Sequence, residues 1–114
     1  DGVYVTEAMA GTVSRIDLSN GAKKVVASGL RMPEGIAVFP DGKLAVVETG
    51  TRQLLKIDPA SGVINPLVIN LAVGFPSYPG GLPPYLITGV AVSDSGIIYV
   101  TGDLENVLYK ISPQ

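Results

Sequence analysis

Ten carboxylates, with neither a histidine nor a cysteine beside them, set the chemistry open to this chain of 114 residues. Without histidine there is no Ser-His-Asp triad, no imidazole general base and no route to most zinc or haem sites. Without cysteine there is no disulfide and no thiolate nucleophile, and the redox compartment is left open. The spacing of the carboxylates sorts most of them into structural roles. Asp41-Gly42 and Asp94-Ser95-Gly96 are turn signals. Asp17 and Asp58 stand ahead of Ser19-Asn20-Gly21 and Ala60-Ser61-Gly62, which suits turn capping. Glu7 and Glu48 hold matching places in two similar segments, with Arg52 four residues beyond Glu48. A hydrogen bond or ion pair that ties a turn is the expected role there. Asp103 and Glu105 read as solvated, and with Asn106 they offer weak cation binding at most. No glycine-rich phosphate cradle follows a strand and opens a helix, so nucleotide binding has no support.

The elements that position these groups are short strands. Met32–Pro59 holds three in succession, Gly35–Phe39, Lys43–Glu48 and Gln53–Asp58, broken by Pro40-Asp41-Gly42 and Thr49-Gly50-Thr51. The same unit recurs on both sides of itself. Val3–Leu18 matches Leu44–Pro59 without a gap, and Ile98–Pro113 matches both. Val3, Leu44 and Ile98 fall in register, as do Val13, Leu54 and Leu108, and then Ile16, Ile57 and Ile111. Arg15, Lys56 and Lys110 coincide as well, and Glu34–Gly42 matches Thr88–Gly96. The offsets are 41 residues from Ile16 to Ile57 and 54 from Ile57 to Ile111. A period near forty with several strands in each repeat points to propeller blades.

The expected fold class is therefore all-β: antiparallel four-stranded meanders forming about two and a half blades of a six-bladed β-propeller. The chain is one domain with units 1–31, 32–87 and 88–114. The first unit supplies strands at Gly2–Glu7, Gly11–Leu18 and Lys23–Ser28, and the second adds Val63–Asn70 to its three. The third supplies Gly89–Ser93, Ile97–Thr101 and Val107–Ser112. Val13, Arg15 and Asp17 alternate with Ser14 and Ile16 in the period of two that a strand requires. The competing reading is a small β-sandwich with accidental self-similarity. The first unit lacks an inner strand and the third an outer one, and the chain starts at Asp1 inside a strand. It reads as a processed product or a piece of a longer propeller. A second copy completing a six-unit ring is the alternative.

Composition agrees with this picture. Hydrophobic residues make up 46% and charged residues 16%, which suits a buried fold rather than disorder. Fourteen glycines and nine prolines call for many turns. A net charge of −2 gives no footprint for nucleic acid or an anionic membrane. There is no apolar run long enough to span a bilayer and no signal-peptide pattern, so a soluble chain is expected. The extra length in the second unit lies in an insertion, residues 72–87, whose four prolines and three glycines forbid regular structure. Phe75, Tyr78, Leu82, Tyr85 and Leu86 make it too apolar for a free loop. It either packs back on its own blade or forms a lid or partner contact, for which Phe75, Tyr78 and Tyr85 are the candidate surface residues.

Gly35-Ile36-Ala37-Val38, Asp41-Gly42, Glu48-Thr49-Gly50 and Leu55-Lys56-Ile57-Asp58 together resemble the NHL-repeat and SMP-30/gluconolactonase-like family of β-propellers. The resemblance covers nearly all of the chain outside the insertion. In the SMP-30-like enzymes it implies a calcium or other divalent ion on the propeller axis. Its oxygen ligands stand just before the glycine that opens each innermost strand. Those positions here are Glu34 and Thr88. Glu34 suits a hard oxygen ligand, or else lines a polar axial channel or caps neighbouring backbone amides; Thr88 departs from the pattern and stands as a ligand-surface residue. The family hosts hydrolases, lyases and binding modules alike, so it implies fold more than activity. The reading favoured here is a binding or interaction scaffold that completes itself with further blades or a second copy and is not catalytic alone. The alternative is part of a divalent-metal-dependent lactonase. A propeller lyase is weaker still, since no histidine is present to act as base.

Overall fold

The computed structural model describes residues 1–74, 79 and 88–113. Among them it contains ten strands and no helix. No helix of the described residues is long and apolar enough to cross a membrane. Runs of Val, Ile, Leu and Tyr form the strands, and Gly, Asn, Asp and Ser close the turns between them. The strands gather into three antiparallel sheets, each built from consecutive segments. The first is β1 (Gly2–Glu7), β2 (Thr12–Asp17) and β3 (Lys23–Ala27). The second is β4 (Pro33–Val38), β5 (Leu44–Glu48), β6 (Gln53–Ile57) and β7 (Ile64–Val68). The third is β8 (Val90–Val92), β9 (Ile98–Gly102) and β10 (Val107–Ile111).

The internal repeat is carried down to the backbone. Val3 pairs with Ile16 in β1–β2, Leu44 with Ile57 in β5–β6, and Ile98 with Ile111 in β9–β10. A register shift falls between Val13 and Ser14 opposite β3, and again between the matching Leu54 and Leu55 opposite β7. Each inserts one extra residue, Val26 or Leu67, into the outer strand. The turn that follows β1, β5 and β9 reaches a left-handed residue at the same place each time: Gly11 (φ 67°), Arg52 (φ 57°) and Asn106 (φ 53°). At Gly11 glycine is required twice over, since a Cβ would stand 2.3 Å from the Leu30 carbonyl oxygen.

The strand boundaries depart from expectation only at their ends. β4 starts at Pro33 rather than Gly35, because Pro33 pairs with Glu48 beyond an irregularity before Ile36. β8 holds only Val90–Val92, and β7 is trimmed to Ile64–Val68.

Two cores fill the gaps between the three sheets. The first joins Val13, Ala27 and Leu30 to Leu44, Val46, Leu55 and Ile57. The second joins Ala45, Val47, Leu54 and Phe39 to Leu71, Val73, Ile98 and Val100. Every residue of β5 is buried, and its period of two deals alternate side chains to the two cores. Three sheets with a separate core in each gap are not the two-layer arrangement of a sandwich. β4 touches β1 on one side and β8 on the other, so the first strands of the sheets stand next to one another.

Leu54 is wholly buried in the second core, whereas Leu18 is 62% exposed. Truncating Leu54 removes apolar contacts and leaves a void, which costs about 2–5 kcal/mol. The expected outcome is a large fall in the urea midpoint for Leu54→Ala and, for Leu18→Ala, a change within about 0.5 kcal/mol.

Candidate functional site

One end of the molecule is stitched together by the backbone itself. The segment after β3 bonds to its own sheet through Leu30 N–H to the Gly11 carbonyl, 3.0 Å. It then accepts from the next sheet, Gly50 N–H to Arg31 and Thr49 N–H to Met32, each 3.0 Å. The segment after β7 repeats the move: Leu71 N–H reaches the Arg52 carbonyl at 3.0 Å, and the Ala72 carbonyl accepts from Leu104 N–H at 3.1 Å. Ala72 N–H also donates to Tyr109 Oη, 3.1 Å, and Gly74 N–H to Asp103 Oδ1, 3.0 Å. Buried donors and acceptors that leave a strand at its end are satisfied in this way.

Glu34 and Thr88 meet at this end. Glu34 is the second residue of β4 and Thr88 precedes β8, and the two strands pack closely. Gly35 permits the approach, because a Cβ there would lie 2.6 Å from the Thr88 carbonyl oxygen. The Glu34 carbonyl accepts the Thr6 hydroxyl at 2.6 Å, and its carboxylate accepts the Thr88 N–H at 3.4 Å. Glu34 thus touches both neighbouring sheets. Thr88 is fully buried rather than presented to solvent. Its hydroxyl lies near the Glu34 carboxylate but makes no hydrogen bond of acceptable geometry. Next to Thr88, Gly89 donates its N–H to the hydroxyl of the exposed Thr101 at 2.8 Å.

Burial is the first cause that holds the Glu34 carboxyl above its ordinary range; the Thr88 N–H opposes it, and the nearby charge of Asp103 adds to it. Asp103, which its sequence context reads as solvated, instead accepts the Gly74 N–H and lies within the field of Glu34. Sequence reading missed this convergence. The match of Glu34 with Thr88 in the repeat signals the β4–β8 contact, but nothing in the spacing signals Asp103. Phe75, Tyr78 and Tyr85 lie outside the described residues. Val73, near the start of the insertion, is wholly buried in the second core.

Glu7, Asp17, Asp41, Glu48 and Asp58 hold turns, as their spacing predicts. Glu7 accepts from Lys23, from Ser14 (2.6 Å) and from Thr12 (3.0 Å). Those hydrogen bonds, Lys23 first, lower its pKa to about 2. Glu48 accepts the Arg31 N–H at 2.8 Å and the Thr51 hydroxyl. Arg52 makes no ion pair with it among the described residues, where the ion pairs are Lys23–Glu7 and Lys56–Asp41. Asp17 and Asp58 cap their turns through the N–H groups of Ser19 (2.8 Å) and Ala60 (2.9 Å).

A divalent cation fits these residues poorly. Calcium takes six to eight oxygens, and no group of three or more acidic, His or Cys side chains converges among the described residues. Glu34 and Asp103 are two carboxylates, short of a ligand set. Comparison with models of known protein families gave no match, and no curated protein matches the chain.

Glu7 and Glu34 carry opposite pH signatures. The folded pKa of Glu7 lies below its unfolded value, so its contribution is present above about pH 4.5 and lost as pH falls toward about 2. The folded pKa of Glu34 lies above its unfolded value, so stability present at low pH is lost as pH rises through that raised value. The expected outcome in urea melts at pH 7 is a lower midpoint for Glu7→Gln and an equal or higher one for Glu34→Gln. Any gain from Glu34→Gln should shrink below pH 4.5.

Proposed function

We propose that this chain is a section of a six-bladed β-propeller that serves as a binding scaffold, without catalysis of its own. The observation that carries the reading is the Glu34 group. A half-buried carboxylate, raised in pKa, accepts the Thr88 N–H and feels the charge of Asp103 where the linkers and turns of adjacent sheets converge. Ionised groups kept at an energetic cost concentrate at functional positions. Support for the propeller comes from the period of the repeat and from the neighbouring first strands β1, β4 and β8. Such a site takes a ligand with hydrogen-bond donors or positive charge facing the two carboxylates.

The alternative, a share of a divalent-metal hydrolase site, has in its favour that the charge of Asp103 is felt at Glu34. It requires further oxygen ligands from outside the described residues.

Screening small polar and cationic fragments against 15N-labelled protein tests the scaffold reading. Amide shifts are expected to cluster at Glu34, Thr88, Gly89, Thr101 and Asp103; hits confined to the opposite end, or none, defeat it. Calorimetric titration with calcium separates the alternative. Saturable heat abolished by Glu34→Gln favours the metal site, and absence of heat removes it.

A further inference from the structure

Two exposed arginines stand at the stitched end of the molecule. Arg31 lies in the segment after β3, and Arg52 in the turn that joins β5 to β6. The backbone brings these two segments together. Gly50 N–H donates to the Arg31 carbonyl and Thr49 N–H to the Met32 carbonyl, while Arg52 N–H closes the turn on the Thr49 carbonyl at 3.3 Å. A Cβ on Gly50 would stand 2.7 Å from Arg31 Cβ. The glycine therefore lets the Arg31 stem lie against the turn that carries Arg52.

Neither guanidinium joins an ion pair among the described residues, where the pairs are Lys23–Glu7 and Lys56–Asp41. Glu48, buried at the base of the turn, has its oxygens committed to the Arg31 N–H and the Thr51 hydroxyl. The insertion, residues 72–87, holds no Asp or Glu that could supply a counter-charge. Arg52 also occupies a left-handed position (φ 57°) that the other two sheets give to Gly11 and Asn106, residue types suited to it. Its side chain thus contributes to neither the turn conformation nor an ion pair.

We infer that Arg31 and Arg52 form a receptor for a doubly negative oxyanion group, either a phosphate monoester or a pair of carboxylates on one ligand. A guanidinium presents a planar fork of N–H donors that matches the oxygens of carboxylate and phosphate. A single exposed ion pair is weak, so a dianion that engages both forks gains over a monoanion. The backbone bonds between the two segments fix the receptor before any ligand arrives, which lowers the ordering cost of binding. Both segments are internal, one between β3 and β4 and the other between β5 and β6. This inference does not rest on the binding role of the Glu34 group, which uses other residues.

The test titrates the 15N-labelled chain of 114 residues with inorganic phosphate and, separately, with succinate. Sodium chloride of equal ionic strength is the reference, because salt alone screens exposed charges. Saturable shifts beyond those in chloride are expected at the amides of Arg31, Gly50, Thr51 and Arg52 and at both arginine Nε–H groups. Tighter binding of phosphate assigns the phosphate monoester, and tighter binding of succinate the dicarboxylate. Affinity should fall at least about tenfold in Arg31→Gln and in Arg52→Gly. Arg52→Gly keeps the fold, since Gly11 holds that place in the first sheet, and its urea midpoint should match or exceed the parent's. Shifts no greater than those in chloride with both probes, shifts confined to Lys24 or Lys110, or unchanged affinity in either variant overturn the proposal.

Discussion

The structure depends on burying one strand from both sides. Leu44, Ala45, Val46, Val47 and Glu48 of β5 are all enclosed, which an antiparallel strand achieves only with a packed sheet on each face. The pleat then assigns Leu44 and Val46 to one neighbour and Ala45 and Val47 to the other. The difference in size matters: small Ala45 accompanies the bulky Phe39 in the second core, while Leu44 and Ile57 fill the first. Interiors are packed to crystal-like density, so such partners must be complementary in volume. Once the faces of β5 are committed, the placing of β4 between β1 and β8 follows, and with it the position of Glu34.

The carboxylates divide by what surrounds them. Glu7, Asp17, Asp41 and Asp58 stand at partly exposed turns, and hydrogen bonds to their ionised forms lower their pKa values. Each makes its turn more stable when charged. Glu34 is the exception, since burial and the charge of Asp103 work against its ionisation. A residue serving only the fold would be expected to resemble the first group, and this contrast sets the Glu34 end apart from those four turn carboxylates.

Much of this was readable from the sequence because the repeat is written in side-chain types. Val3, Leu44 and Ile98 occupy one place in three sheets, and their alignment located β1, β5 and β9 within a residue or so. The turn carboxylates were equally readable, because an Asx turn needs only a local chain of three or four residues. What escaped was anything set by the fit of one sheet against another. Arg52 takes the left-handed conformation of Gly11 although no arginine prefers it, and only the 41-residue offset hints at it. The bond from Ala72 N–H to Tyr109 Oη spans 37 residues and joins no matching pair in the repeat. Thr88 reads as a ligand-surface residue, yet it lies with no accessible surface beside the close approach that Gly35 allows.

The two cores share a strand but not a single side chain. Free energy is therefore distributed as it is in linear repeat arrays, as a sum of nearest-neighbour couplings rather than one global term. Loosening the first sheet forfeits the contacts of Val13, Ala27 and Leu30, with those of Tyr4, Val26 and the Thr6 bond to Glu34, while the core holding Leu54 and Ile98 keeps its own contacts. Cooperativity is correspondingly graded. The slowest-exchanging amides are therefore expected in the middle sheet, whose β5 is buried throughout.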